Sequence, residues 1–104
     1  MDMIIAFSVA PTETPSPTAE MADAVSEAVR VVRASGLPNE TNAMFTLIEG
    51  EWDEVMAVVK EATDAVLAVS PRVSLVLKAD IRPGHTGQLT QKVDSVEKRL
   101  GGGK

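Results

Sequence analysis

No cysteine occurs among the 104 residues of this chain, tyrosine is absent, and the aromatic side chains are one Trp and two Phe. The first absence excludes disulfides, thiol catalysis and sulfur-ligated zinc. The second leaves almost nothing on which a nucleobase could stack. With a formal net charge of -5 and a pI of about 4.8, it argues against a nucleic-acid module, which needs a basic surface and often aromatic platforms. The acidic balance mildly favours a cationic partner. Histidine is nearly missing too: His85 stands alone in a Pro-Gly loop with no second His to help it chelate, and reads as a surface loop residue rather than a metal ligand. No apolar run approaches the roughly 18 residues of a membrane helix. The start Met-Asp-Met-Ile-Ile lacks the basic region of a secretory signal, so a cytoplasmic protein is expected.

Hydrophobic residues make up 44% of the chain. They are mostly Val, Ala, Leu, Ile and Met, enough for one core, and the expectation is a single domain over residues 1–100 with a flexible tail at 101–104. Residues 3–10 read as a first strand, with Ile5, Phe7 and Val9 on a strongly apolar side and Ile4, Ala6, Ser8 and Ala10 on a side of smaller groups. The Pro-rich loop 11–17 follows, a candidate flap, and Ser16-Pro17 signals a helix start. Met21, Val25, Ala28, Val29 and Val32 recur at helical spacing, and Gly36 supplies the stop. Short strands are predicted near 39–43 and 44–49. A helix then starts at Glu51 with Trp52, Val55, Val59, Ala62, Val66 and Val69 on one stripe. Residues 72–82 alternate cleanly, which predicts a strand whose odd-numbered face lies on the helices. Leu89, Val93, Val96 and Leu100 form a narrow stripe on a terminal helix, read as docking or oligomer surface.

The order βαββαβ plus one helix predicts an α+β fold, a ferredoxin-like plait: a four-stranded antiparallel sheet with both long helices on one face and an extra C-terminal helix. The other face should collect Ile4, Ala6, Ser8, Met44, Thr46, Ile48, Ser74, Val76, Lys78 and Asp80. That mixture is too apolar for a well-solvated surface. A second subunit or the terminal helix should cover it, leaving polar gaps at the seam.

The corner at residues 44–54 carries the chemistry, because a strand there ends on Thr46, Glu49 and Gly50 before an acidic helix start. Three positions apart on a strand, Thr46 and Glu49 point to opposite faces. Glu49 is read either as a ligand carboxylate or as a cap for backbone amides, and Thr46 either as a contact or as strand packing. Lys78 and Asp80 are equally well placed for an ion pair. Asn42 is explained by turn chemistry. An acylphosphatase-type enzyme of this plait needs a phosphate-cradling loop with an arginine after the first strand, and residues 8–18 contain none. A regulatory or structural homo-oligomer remains the alternative.

Met44-Phe45-Thr46-Leu47-Ile48-Glu49-Gly50-Glu51, preceded by Ser35-Gly36-Leu37, resembles the central signature of the thiamine-binding protein family. Ser8-Val9-Ala10-Pro11, Arg72-Val73-Ser74 and Lys78-Ala79-Asp80-Ile81-Arg82 agree with it in order. The loop Pro11-Thr12-Glu13-Thr14-Pro15 departs from the glycine-containing segment of many relatives. The resemblance implies ferredoxin-like subunits joined as a homodimer or homotetramer, binding thiamine or its hydroxymethylpyrimidine part without converting it. No further cofactor, nucleic-acid partner or membrane partner is implied. A flat aminopyrimidine and a cationic thiazolium need acceptors, an apolar slot and negative charge. Glu49, Thr46, Ser8 and Asp80 are the candidate polar contacts on this resemblance, and Met44 and Phe45 the candidate apolar ones.

Overall fold

A computed structural model describes residues 2–12, 19–42 and 44–100. Its elements are β1 (Asp2–Pro11), α1 (Ala19–Ala34), β2 (Asn39–Thr41), β3 (Thr46–Glu51), α2 (Trp52–Leu67), β4 (Val73–Ile81) and α3 (Gln88–Arg99). The strands form one antiparallel sheet in the order β2-β3-β1-β4. This is the ferredoxin-like arrangement expected from the element order. The loop at 13–18, with the expected helix signal Ser16-Pro17, and the tail at 101–104 lie outside the described residues.

Alternation along β1 decides which face is buried. Met3, Ile5, Phe7 and Val9 are all nearly inaccessible, and they pack beneath Ala24, Ala28 and Val32 of α1 and Val55, Val58, Val59, Ala62 and Val66 of α2. Each such Val or Ile contributes about 1.5–3 kcal/mol when fully withdrawn from water. The expected α1 stripe is turned slightly from this: Ala24 is buried and Val25 is 37% exposed. Small alanines at positions 24 and 28 let α1 sit close to the sheet, which rolls Val25 outward. Gly36 ends the helix with a left-handed φ of 79°, as its lack of a Cβ permits. On α2, Trp52 lies at the exposed first turn and Val69 falls beyond the helix end, so both ends of the expected stripe leave the core.

The hairpin between β2 and β3 corrects the expected face of β3. Asn42 Oδ1 accepts hydrogen bonds from the amides of Met44 and Phe45, both at 2.9 Å, and Asn42 N donates to Phe45 O at 3.0 Å. This turn takes Met44 and Phe45 out of the strand. The register then sets Thr46 opposite Phe7 and Ile48 opposite Ile5, on the helix side, and Glu49 opposite Ile4, on the uncovered side. A shift of one residue in pairing exchanges the faces of a whole strand. Thr46 and Ile48 are therefore buried beneath the helices, and Leu47 and Glu49 take the places expected for them.

At the edge strand β4 the helices cover the odd face only in part. Val73 and Leu77 are half-buried, but Leu75 and Ile81 are exposed. On the uncovered face Ile4, Ala6, Ser8 and Ala10 are half-buried and Val76 is exposed. The amino end of α3 sits there, bonded to β3 through Glu49, while Val96 and Leu100 farther along are 54% and 76% exposed. The radius of gyration is 15.4 Å, against about 13 Å for a compact domain of this length.

Candidate functional site

A cleft of about 650 Å³ opens where three connections meet. Leu37, Pro38, Asn39 and Glu40 form the side between α1 and β2, Glu49 and Gly50 lie at the end of β3, and Thr86, Gly87 and Leu89 come from the start of α3. Leu37, Pro38 and Leu89 give it apolar walls. Glu40 and Glu49 give it two carboxylates, and among the described residues no Lys, Arg or His lines it. Gly50 spares the core a tight contact, since a Cβ there would stand 3.1 Å from Val55 Cγ2, while Leu37 Cδ2 at 3.5 Å would be at ordinary contact distance.

Glu49 is 5% exposed, an unusual degree of burial for a carboxylate, and its partners explain it. Its amide donates to Pro38 O at 2.9 Å. Its carboxylate accepts from Gln88 N at 2.7 Å and from Leu89 N at 3.4 Å. These amides open α3, whose N-cap is Gly87 in a left-handed conformation and provides no side-chain cap. The helix cannot cap itself, so a strand 39 residues earlier supplies the acceptor. Negative charge also suits the positive end of the helix dipole. A carboxylate offers about four acceptor positions, so two bonds to α3 leave capacity for a ligand donor.

The six residues expected at the site fall in three places. Glu49 is in the cleft. Ser8, Met44, Phe45 and Thr46 line a separate crevice of about 190 Å³ between β1, α1 and the β2–β3 loop. Within it Thr46 is turned inward at 9% exposure and Met44 outward at 74%. Asp80 borders a third space of about 10 Å³ with Ile4, His85 and Gln88. Asp80 and Glu49 share one row of the sheet, on either side of Ile4. His85 is an exposed loop residue whose ring nitrogen lies 3.2 Å from Pro83 O, and no group of three or more His, Asp or Glu among the described residues could hold a metal ion.

Sequence reasoning missed Leu37 to Glu40, Thr86 and Gly87 as cleft residues and read Leu89 only as a docking position. One signal was available. A helix that starts after glycine, with no Ser, Thr, Asp or Asn at its cap, needs an acceptor from elsewhere, and Glu49 was the carboxylate at a strand end.

Comparison with known proteins identifies the family and the fold. A family model described as thiamine-binding protein matches residues 5–97. A UPF0045 protein of Mycobacterium bovis is 55% identical over 101 residues, covering 96% of each chain. The crystal structure of a hypothetical protein from Methanocaldococcus jannaschii superposes with a TM-score of 0.79 at 29% identity, over 91% of this chain and 95% of that one. A proposed thiamine biosynthesis or salvage protein of Thermotoga maritima gives a TM-score of 0.74 at 21% identity, over 89% and 99% of the two chains. At that identity the likeness speaks for the fold.

Proposed function

We propose that this chain, which belongs to the thiamine-binding protein family, is a binding protein and not a catalyst, and that it holds thiamine or the hydroxymethylpyrimidine part of thiamine in the cleft around Glu49. The observation that carries this reading is a nearly buried carboxylate set in a cleft with apolar walls. An aminopyrimidine needs an acceptor for its amino group and flat apolar surfaces for its ring. Glu49 meets the first need, and Leu37, Pro38 and Leu89 meet the second. Glu40 adds negative charge for a cationic thiazolium. The volume lies within the usual 300–1,000 Å³ of small-molecule sites.

Glu49 faces the uncovered side of the sheet, so a second subunit laid on that side would close the cleft at a seam. Half-buried Ile4 and Ala6 and exposed Val76, Val96 and Leu100 support such a homodimer or homotetramer. Asp80, across Ile4 from Glu49 in the same row of the sheet, is the further polar candidate, while Ser8, Met44 and Phe45 line the separate crevice. Thr46, turned toward the helices, is assigned to packing.

Calorimetric titration with thiamine, hydroxymethylpyrimidine and thiamine diphosphate tests the reading. Saturable heat and thermal stabilisation with at least one of the first two are expected. No heat and no stabilisation at millimolar concentration, with light scattering still giving a multiple of 11.0 kDa, would favour a structural or regulatory homo-oligomer instead.

A further inference from the structure

We infer that the cleft selects the unphosphorylated form of its ligand and that Glu49 enforces the choice, by occupying the amino end of α3, the helix end that lines the cleft. This inference rests on the cleft being the ligand site.

The amino end of a helix is ordinarily suited to phosphate, because its first N–H groups lack intrahelical acceptors and its dipole favours negative charge. The start of α3 lies in the cleft wall, and the Gly87 cap leaves its amides unobstructed by any side chain of its own. Both amides that a phosphate would use, those of Gln88 and Leu89, already donate to Glu49. Displacing Glu49 would strand a carboxylate that is 5% exposed without its donors, which is strongly unfavourable. A phosphate elsewhere in the cleft would meet Glu40 and Glu49 with no described cationic side chain to offset them. An amine or a heterocyclic cation meets the same two charges as attraction. The site therefore favours a cationic or amino-bearing ligand and penalises its phosphate ester, and the discrimination is built from a strand carboxylate that fills an anion position from within.

Two measurements test this independently. In the first, inorganic phosphate is titrated into wild type, Glu49→Ala and Glu49→Gln while the amide resonances of Gln88 and Leu89 are followed. Wild-type amides should stay unmoved at millimolar phosphate, and those of the variants should shift saturably. A wild-type shift, or no shift in either variant, overturns the inference. In the second, calorimetry compares thiamine with its monophosphate. Wild type should bind the monophosphate about tenfold more weakly or worse, and the gap should narrow in Glu49→Gln. Equal affinity in wild type overturns the inference. If neither compound binds, the vitamin reading fails by itself, and the phosphate titration still decides whether Glu49 closes the anion position. Glu49→Gln retains an acceptor oxygen for one α3 amide, so it keeps the test open if Glu49→Ala loses the fold.

Discussion

Replacing Glu49 by Ala should weaken the docking of α3 on the sheet while leaving the remaining domain folded. Two amides lose their acceptor, one bonded at 2.7 Å and one at 3.4 Å. Loss of a helix cap costs about 1 kcal/mol, and loss of a favourable charge at the helix end costs about 0.3–1 kcal/mol more. The sum, about 1–2 kcal/mol, is large for α3, because Val96 and Leu100 near its other end are exposed and contribute little docking energy. Hydrogen exchange at Gln88 and Leu89 should accelerate by roughly 5–30-fold, while exchange at Ile5, Phe7 and Ile48 in the sheet centre changes far less. If α3 docking and global folding were one transition, the same loss would lower Tm by roughly 5–9 °C. The Glu49→Gln variant should lose about half as much, since it keeps one oxygen acceptor without the charge. Unchanged exchange at Gln88 and Leu89 in Glu49→Ala would refute the capping role, and with it the claim that the cleft wall depends on this side chain.

Other substitutions test separate steps of the structure. Ile48→Ala should cost about 2–5 kcal/mol in urea unfolding and Leu47→Ala clearly less, because Ile48 is fully buried on the helix side and Leu47 only half-buried on the other; the reverse order would contradict the register of β3. Gly50→Ala should cost about 1 kcal/mol net in urea unfolding, with overpacking against Val55 at 3.1 Å exceeding the entropic gain; a stabilised variant would show that Val55 gives way freely. Val76→Glu places a charge on the uncovered face, midway along the edge strand β4, at a position 55% exposed in the single chain; if that face joins subunits, light scattering should move toward 11.0 kDa with little change in the far-ultraviolet spectrum. An unchanged assembled mass in that variant would remove the face from the subunit contact.

Elements whose pattern is local were legible in the sequence. Ile5, Phe7 and Val9 marked the buried side of β1 because a strand alternates whatever it pairs with, and Gly36 marked the end of α1 because the left-handed turn is a property of one residue. The side of β3 was not legible, because it depends on how far the β2–β3 turn advances the chain, and the turn is set by three hydrogen bonds around Asn42 that no periodicity reveals. Glu49 stood out as the residue to watch, but its partners lie 39 and 40 positions away. Nothing in the local pattern near residue 49 connects it to Gly87, and Leu37 and Pro38 enter the cleft only because β2 is short and leaves the edge of β3 to bond Pro38.

Under the proposed function, the two readings of Glu49, cap and ligand carboxylate, become one device. A carboxylate that is nearly buried is tolerated only with donors, and the first amides of α3 are those donors, so the burial of Glu49 and the docking of α3 go together. Thr86, Gly87 and Leu89 are also part of the wall, so a ligand held there contacts the docked state and not the released one. Mass action then requires that binding strengthen docking, by an amount that grows with ligand concentration relative to Kd. Exchange protection at Gln88 and Leu89 in wild type should therefore rise as the cleft fills, and should stay flat for a compound that binds elsewhere on the protein.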